Sequence, residues 1–568
     1  MKNLFQTKSL LFFLVLTAFG QSSCKVGSTA PSAEAINSIN LKRGDVILCG
    51  NEDQTFGDVN FETSCPGVAK DHFTRAVAML HSFEYDESEK VFAKAIDAAP
   101  DCAMAYWGVA MCNYHPLWTP PSEAELEKGL QALTVAKTIT NVTEREAAWI
   151  NALFAFYNDY KNKDHRTRSL AYEAGMEKLY SVYPEDKEAA IFYALALDGA
   201  ADPADTSFVK QKKAGEILTA LNPGQPDHPG LIHYMIHSYD SPALANLALP
   251  AARKYASIAP SSAHAQHMPS HIFTRVGSWD ESIKSNLVSK DAALCYAEGS
   301  GIKGHWDEEL HALDYLMYGY LQQGDTKSAK EELDYLQTID LVFPAQFKEA
   351  YAFAAMPARF YLENRMWNEA ANLEAHPSGF PWQKFPWQFA ITHFTRALGA
   401  VHTNQLADAR TELVVLNTFR DSLVSKKDTY KANQVHIQIK ATEGWILWKE
   451  GKKNEALASM QESANMENLT QKHPVTPGEV LPAQELLGDM LMEMNKPKEA
   501  LEAYERDLKK HPNRFNGLYG AALAAEKAGQ HDKAKTYYQQ LIDIAKTEGP
   551  VRSEIEKAKA FIASGAEL

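Results

Sequence analysis

Apolar and small residues recur at helical spacing along most of the chain, in pairs of segments joined by short polar turns. The clearest pair is Gly488–Pro512, GDMLMEMNKPKEALEAYERDLKKHP. Here Gly488 is expected where the two helices touch, Ala500 at the small contact on the second helix, Tyr504 above it, and Pro512 at its end. Alternating runs typical of strands are few, and no Asn-Gly turn joins two apolar stretches. The pattern predicts an all-α protein built from helical hairpins.

The hairpin pattern repeats with a period of 34 residues, since Ala534 and Tyr538 follow Ala500 and Tyr504 by that interval. Weaker copies carry a small residue at the same position, at Ser88, Ser282, Ala329, Ala370, Ala409 and Ala456. This resembles the tetratricopeptide repeat (TPR), with about nine copies between residues 70 and 545. Such hairpins stack so that neighbours bury each other's apolar faces. We therefore expect a TPR-type α-solenoid, interrupted by Pro-rich loops in NYHPLWTPPSEAEL, NPGQPDHPG, AHPSGFPWQKFPW and QKHPVTPGEVLP.

Histidines are concentrated in the middle of the chain. Six of the 19 histidines fall within the 44 residues from His228 to His271. His233 and His237 are four residues apart, and His267 and His271 repeat that spacing 34 residues later. A spacing of four places both members of a pair on one helix face. Because the first helices of stacked hairpins line the concave surface, we expect the two pairs to face each other across an interior groove.

Three interpretations of this histidine groove stay open. The first is a polar ladder between hairpins, with the hydroxyl groups of Tyr234, Tyr239 and Ser270 as partners. The second is a ligand-binding groove that also includes His264 and His311. The third is a metal site formed by the two pairs, because paired imidazoles bind zinc, copper or nickel. No cofactor is otherwise predicted.

Pro269 affects each of these interpretations. If the helix begins near Ser262, Pro269 lies inside it and removes one backbone hydrogen bond, at a cost of about 3 kcal/mol. If the helix begins at Pro269, His264 and His267 lie in a loop, and the facing geometry of the two pairs weakens.

The N-terminal residues resemble a bacterial lipoprotein signal. Lys2 and Lys8 precede an apolar run from Leu10 to Phe19, and small polar residues then lead to Cys24. The resemblance implies that Cys24 becomes an acylated anchor in the cell envelope, with the outer membrane favoured. Plain secretion with an incidental cysteine is the alternative.

We divide the chain into a signal peptide (1–23), a tether and loop-rich segment (24–66), an N-terminal repeat array with the histidine groove (67–345), and a C-terminal array (346–568).

The cysteines suggest one disulfide. In an oxidising compartment Cys49 and Cys65 can close the loop-rich segment, which would contribute roughly 3 kcal/mol. Cys102 and Cys112 are ten residues apart on a predicted helix, hence about 15 Å, too far to bond each other. These two and Cys295 are expected to be buried small residues.

Charge limits the partners. The chain has a net charge of -15, and removing residues 1–23 takes away two lysines and no acidic residue, giving -17. Such a surface repels nucleic acid, so no nucleic-acid partner is expected.

Four aromatic residues fall within eight positions of one Pro-rich loop: Phe380, Trp382, Phe385 and Trp387. They are expected either to wedge between repeats or to stack on a ligand such as a glycan.

The segments DAAPDCAMAYWGVAM, HMPSHIFTRVGSWDESIKSN, QKHPVTPGEVLPAQELLGDML and HPNRFNGLYGAALAAEKAG resemble a group of large bacterial TPR proteins. The resemblance implies the fold and an envelope setting, and no reaction. Neither G-x-S-x-G, H-E-x-x-H, a Walker loop nor C-x-x-C-H occurs, so the sequence predicts no enzyme. We expect a lipid-anchored binding module for a protein or peptide, accessory to polysaccharide use. The alternatives are a glycan-binding nutrient-uptake lipoprotein and a metal-dependent enzyme that uses the paired histidines.

Overall fold

The computed structural model describes residues 1, 30–49, 55–202, 205–546 and 551–564. Within these ranges the chain forms antiparallel helix pairs stacked into a solenoid, so the predicted all-α fold of the TPR type is confirmed. The helices of the first half are α1 (Ala33–Ser38), α2 (Gly67–His81), α3 (Tyr85–Ala98), α4 (Ala103–Cys112), α5 (Glu123–Ala136), α6 (Glu144–Tyr157), α7 (His165–Val182), α8 (Lys187–Gly199), α9 (Val209–Leu221), α10 (Pro229–Tyr239), α11 (Ala245–Ile258), α12 (Ala263–His267) and α13 (Pro269–Val276).

The second half continues the same architecture. Its helices are α14 (Trp279–Ser300), α15 (Asp307–Gln322), α16 (Thr326–Leu336), α17 (Phe347–Glu363), α18 (Trp367–Ala371), α19 (Pro386–His402), α20 (Leu406–Ser425), α21 (Thr429–Lys449), α22 (Lys453–Asn468), α23 (Ala483–Glu493), α24 (Pro497–Lys510), α25 (Phe515–Lys527), α26 (His531–Ile544) and α27 (Ser553–Ser564). Two 3-10 turns lie at Asn222–Gly224 and Trp382–Lys384, and the two-residue strands β1 (His305–Trp306) and β2 (Val342–Phe343) pair in parallel.

The small contact positions predicted from the repeat are buried where helices cross. Ala500, Ala534, Ser88, Ser282, Ala329, Ala370, Ala409 and Ala456 all have relative exposures of 0–1%. Tyr504 fills the space left by two glycines, because a Cβ atom on Gly488 or Gly520 would stand 2.7 or 2.4 Å from its ring. The 34-residue pattern therefore arises from side-chain packing within and between hairpins.

Most hairpin turns use a residue with positive φ, which lets the first helix end and the second begin within three or four residues. The turn residues are Phe83, Gly277, Gly324, Arg365, Asn404, Gly451, Asn495 and Gly529. Glycine and asparagine adopt this conformation at low cost, whereas a phenylalanine there is unusual. Phe83, at φ 58°, lies beside the histidine groove.

The solenoid curves until distant repeats touch. Helix α2 contacts α10, and α15 contacts α25. The Trp279 indole N–H donates to the carbonyl of Asn513 over 2.8 Å, and the Asn513 amide donates to the carbonyl of Gly277. One apolar core contains residues between 39 and 273, and a second contains residues between 283 and 558. The predicted boundary at residue 345 falls within this second core.

The predicted disulfide is wrong. Cys49 bonds to Cys295 on α14, 246 residues away, and Cys65 bonds to Cys102 at the start of α4. The loop-rich segment is thus tied to the repeats at two points instead of being closed on itself. Among the described residues, Cys112 is a free and buried thiol, as expected.

Across the residues that the structure covers, no helix is both long enough and apolar enough to span a bilayer. Cys24 and the predicted signal sequence lie outside the described residues.

Candidate functional site

Four helices bring the six predicted groove histidines together. His233 and His237 project from α10, His264 and His267 from α12, His271 from α13 and His311 from α15. The structure combines the two alternatives for Pro269. A first helix, α12, contains His264 and ends at His267, and Met268 keeps helical dihedrals. Pro269 then begins α13 at its first position, where no backbone N–H is needed. The helix is therefore broken without placing His264 or His267 in a loop.

The six imidazoles form two groups of three, each with its ligand nitrogens within 4.8 Å of one another. The outer triad is His233, His237 and His264, and the inner triad is His267, His271 and His311. The four histidines predicted as one facing set do not converge as a single site. His264 joins the first pair, and His311 joins the second.

Direct contacts join the members of each triad. Nε2 of His237 lies 3.0 Å from Nε2 of His233, and the His264 ring centre is 5.1 Å from that of His233. In the inner triad, Nε2 of His267 lies 3.1 Å from Nε2 of His271, and the rings of His267 and His311 are centred 4.1 Å apart. The triads adjoin each other, since the His237 and His271 rings are centred 6.5 Å apart.

Oxygen acceptors fix the orientation of three of these rings. Nδ1–H of His233 donates to the carbonyl of His81 over 2.6 Å, and Nδ1–H of His267 donates to Oδ1 of Asn286 over 2.6 Å. The Asn286 amide is itself oriented by donating to the carbonyl of Ser282. Nδ1–H of His271 donates to the Asp240 carboxylate over 3.1 Å. In all three rings Nε2 is therefore left to face the other histidines.

Five of the six imidazoles have pKa values that favour the neutral form. Burial is the largest cause of lowered pKa values in five of them, and neighbouring histidines add to the effect; these are His233, His237, His267, His271 and His311. Asp240 is ionised: although burial raises its pKa, Lys472 and Arg275 hold that pKa well below its usual range. Neutral imidazoles with an ionised neighbour are the form in which histidine binds metal ions.

The Pro-rich loop between α22 and α23 covers the inner triad. Lys472 reaches within 3.6 Å of the Asp240 carboxylate, and the Tyr315 hydroxyl donates to the carbonyl of Val475 while lying 3.4 Å from both ring nitrogens of His271. The loop was expected to interrupt the array and to cap or line the superhelix. Its contact with residues more than 150 positions earlier has no local signal in the sequence.

A third polar group was not predicted. His81 on α2 and His228 before α10 both contact the buried carboxylate of Glu188 on α8, at 3.1 and 2.8 Å. The remaining ring nitrogens are also satisfied, since Nδ1 of His81 contacts the Tyr234 hydroxyl and Nδ1 of His228 accepts the N–H of Leu231. This group is a complete hydrogen-bond network that joins three hairpins.

A cavity of about 970 Å³ opens beside the outer triad and is lined by His264 and Glu308. Seven Phe, Tyr and Trp side chains also line it: Phe83, Tyr85, Trp118, Tyr296, Trp306, Phe343 and Phe347. Its acidic residues are Glu84, Asp86, Glu87, Glu125, Asp307 and Glu308. Three lysines also line it, Lys90, Lys348 and Lys431, and each is paired with a carboxylate. The cavity is aromatic with an excess of acidic groups.

Phe83 and Trp118 separate the outer triad from most of this cavity. The Phe83 ring is centred 4.4 Å from His233 and 5.6 Å from His237, and the Trp118 ring is centred 5.4 Å from His237. Phe83, the turn residue with positive φ in the first hairpin, therefore places its aromatic ring against His233 and His237.

The aromatic loop packs between repeats. Phe380, Trp382 and Trp387 are at least 90% buried. Phe380 contacts Phe353 of α17, and Trp382 stacks on Phe389 of α19. Of the two uses expected for these residues, wedging between repeats and stacking on a ligand, these contacts match the first. The buried rings of Phe380, Trp382 and Trp387 offer no exposed surface on which a sugar could stack.

Comparison with known proteins agrees with the helical repeats. Residues 486–549 match the family model described as tetratricopeptide repeat. The match covers the hairpins α23–α24 and α25–α26. Among proteins of curated function, none matches the sequence.

Solved structures that resemble the chain include a monomeric mutant of IFIT1 with Gppp-AAAA, at 11% identity over 84% of this chain and 100% of that one, with a TM-score of 0.35. The human IFIT1 dimer with PPP-AAAA is 10% identical over 82% of this chain and 94% of that one, with a TM-score of 0.36. The TPR domain of P58(IPK) is 14% identical over 67% of this chain and 100% of that domain, with a TM-score of 0.20.

Proposed function

We propose that this TPR protein is a binding module whose interior cavity receives a short peptide segment of a partner protein. Stacked TPR hairpins provide a curved inner surface that suits protein and peptide partners. The observation that carries the proposal is the cavity of about 970 Å³ inside the curved solenoid. Its volume lies at the upper end of the range for sites that enclose a small ligand, about 300–1,000 Å³, which favours a short segment over a folded domain.

The chemistry of the cavity favours a segment with aromatic and basic side chains. Aromatic rings such as Tyr85, Trp118 and Trp306 offer faces to aromatic and cationic groups. Six acidic residues outnumber three lysines on the wall, and those lysines already have carboxylate partners. Asp86 and Glu125 have partners of their own in Lys42 and His115, so it is the excess of acidic residues over lysines that favours a basic segment over an acidic one.

Binding of peptides to the untagged chain, followed by isothermal titration calorimetry, tests this function. We expect peptides of Lys, Arg, Phe and Tyr to bind and peptides of Asp and Glu to give no heat. Trp118→Ala should weaken binding by about tenfold or more, because a buried aromatic contact contributes roughly 1–2 kcal/mol.

The matched control is Trp367→Ala, since Trp367 stacks on His402 in another part of the molecule and does not line the cavity. Equal binding of acidic and basic peptides, or an equal effect of the two variants, would remove the cavity as the binding site.

We also propose that the module is lipid-anchored through Cys24 in a bacterial envelope, at the outer membrane. The lipoprotein-like N-terminus supports this placement, and so do the bonds Cys49–Cys295 and Cys65–Cys102, because stable disulfides are typical of oxidising compartments. In cells, wild-type protein should sediment with membranes, and Cys24→Ser should be found in the soluble fraction. Membrane association that survives Cys24→Ser would disprove the anchor.

A further inference from the structure

We propose that the two triads bind two divalent transition-metal ions, one in the outer triad and one in the inner. This goes beyond the peptide-binding role and does not depend on it. All six ligands would be imidazole nitrogens, a donor set that suits zinc, copper, nickel or iron and not calcium or magnesium.

The nitrogen spacing within each triad matches that of two ligands on one ion. Zinc–nitrogen bonds of about 2.0–2.1 Å in a tetrahedral arrangement place two ligand nitrogens about 3.3 Å apart. The Nε2–Nε2 distances are 3.0 Å between His233 and His237 and 3.1 Å between His267 and His271. In both triads the third histidine also brings a ring nitrogen within 4.8 Å.

The hydrogen bonds of the inner triad leave two lone pairs facing each other. Nδ1 of His267 faces an amide oxygen and Nδ1 of His271 faces a carboxylate, so both must carry the proton of the neutral ring on Nδ1. Their Nε2 atoms, 3.1 Å apart, then both lack a proton. Two lone pairs at this distance repel each other unless a cation lies between them.

The outer triad contains a buried ring nitrogen, Nε2 of His264, without a hydrogen-bond partner among the described residues. A proton on Nε2 of His237 would satisfy its contact with His233, but buried Nε2 of His264 has no hydrogen-bond partner among the described residues. The nearby Oε2 of Glu308, 3.9 Å from Nδ1 of His264, lacks a hydrogen bond as well. Buried unsatisfied groups are costly, and a cation bound to His264 would remove that cost.

The group formed by His81, Glu188 and His228 shows what a structural cluster looks like in the same molecule. Every ring nitrogen there has a hydrogen-bond partner, and the anion is shared by both histidines. We therefore assign it no metal. This group differs from the two triads because each of its ring nitrogens has a hydrogen-bond partner, and not because of how many histidines it contains.

Three histidines per ion leave coordination positions free for water or for a ligand group. The outer triad adjoins the cavity through His264 and Glu308, so a ligand in the cavity could reach that ion. The inner triad is closed by the Lys472 loop and Tyr315. Support of ligand histidines by Asp240, Asn286 and a backbone carbonyl is the arrangement that orients metal ligands in proteins.

The test uses the untagged full chain, stripped with EDTA, loaded with Zn²⁺, desalted and analysed for metal by mass spectrometry. We expect two zinc ions per chain for wild type and one each for His311→Gln and His264→Gln. The control His402→Gln, at a half-buried histidine that stacks on Trp367, should keep two. Zero or one ion in wild type, or equal content in all four proteins, would overturn the proposal.

Cobalt substitution, together with circular dichroism, distinguishes the loss of one metal site from misfolding of a variant. Co²⁺ bound by three imidazoles gives visible absorption bands, and we expect each triad variant with unchanged circular dichroism to keep about half of the wild-type intensity. If a variant is unfolded, His311→Asn and His264→Asn replace it. Cobalt bands of full intensity in folded variants of both triads would contradict the assignment. Wild-type protein that carries two ions but binds no peptide would instead count against the peptide-binding role alone.

Discussion

Individual residues decide where the ring nitrogens of the histidine groove point. The acceptors of Nδ1 on His233, His267 and His271 are a carbonyl, an amide oxygen and a carboxylate, and none of these can donate a proton. Phe83 adds a second constraint, because its left-handed backbone, which costs about 1–2 kcal/mol for a non-glycine residue, carries its ring onto the outer triad. Strained residues of this kind are concentrated at functional sites.

At the same scale, His511 makes stability depend on pH. Although burial lowers its pKa, the carboxylates of Glu479 and Asp507, 2.7 and 2.8 Å away, raise it to about 9 from an unperturbed 6.5. A raised pKa means that the folded state binds the proton more tightly. This stabilisation is complete below about pH 6.5 and is lost as the pH rises through about 9.

We therefore expect wild type to be more stable than His511→Gln by on the order of 2 kcal/mol near pH 6, and the difference to disappear near pH 10. Denaturant unfolding across that range measures it. The exposed His531→Gln serves as control and should give a constant difference. A gap between wild type and His511→Gln that widens with pH would contradict the assignment.

At the scale of elements, helix pairs are held close by small residues at the crossing points. Among the described glycines, Gly399 on α19 approaches another backbone most tightly, because a Cβ atom there would lie 2.2 Å from the backbone nitrogen of Ala371 at the end of α18. Backbone cannot move aside as a flexible side chain can. The crossing of α18 and α19 thus requires glycine.

Gly399→Ala should therefore lower stability by about 1–3 kcal/mol, although alanine favours helix over glycine by about 1 kcal/mol. Calorimetric melting temperatures measure the effect. Gly379→Ala is the control, since nothing lies within 4 Å of its Cβ position, and it should stay within about 0.5 kcal/mol of wild type. A melting temperature of Gly399→Ala at or above that of wild type would show that α18 and α19 can separate.

The sequence predicted the helices and their contact positions because each hairpin repeats one local packing rule. Ala500, Ala534 and their counterparts were identified from spacing alone. The membership of the two triads was not predictable in this way. It depends on the tertiary placement of α12 and α15, which brings His264 to the pair on α10 and His311 to His267 and His271.

At the scale of the whole molecule, contacts between distant repeats close the solenoid around its interior. The buried Arg514 beside α25 donates to Glu363 of α17 over 2.7 Å and to Glu485 of α23 over 3.0 Å. The disulfide from Cys49 to Cys295 and the Lys472 loop close other sides. None of these long-range pairs has a local signature, which is why the disulfide was assigned to the nearer cysteine.

Arg514→Met should destabilise the protein by about 3–5 kcal/mol, because it leaves the buried carboxyl groups of Glu363 and Glu485 without their shared charged donor. Arg506→Met is the matched control, since Arg506 is half-exposed and lies 4.0 Å from Glu502, and it should cost less than about 1 kcal/mol. Equal melting temperatures for the two variants would mean that Arg514 does not help to hold the repeats together.

The central claim is that the closed solenoid brings histidines from four helices into two metal-binding triads. An anomalous difference map, recorded at the zinc absorption edge from crystals of the full chain grown with Zn²⁺, tests it most directly. We predict two peaks per chain, one among His233, His237 and His264 and the other among His267, His271 and His311. A map with zinc peaks only on the protein surface, and none at either triad, would contradict the account.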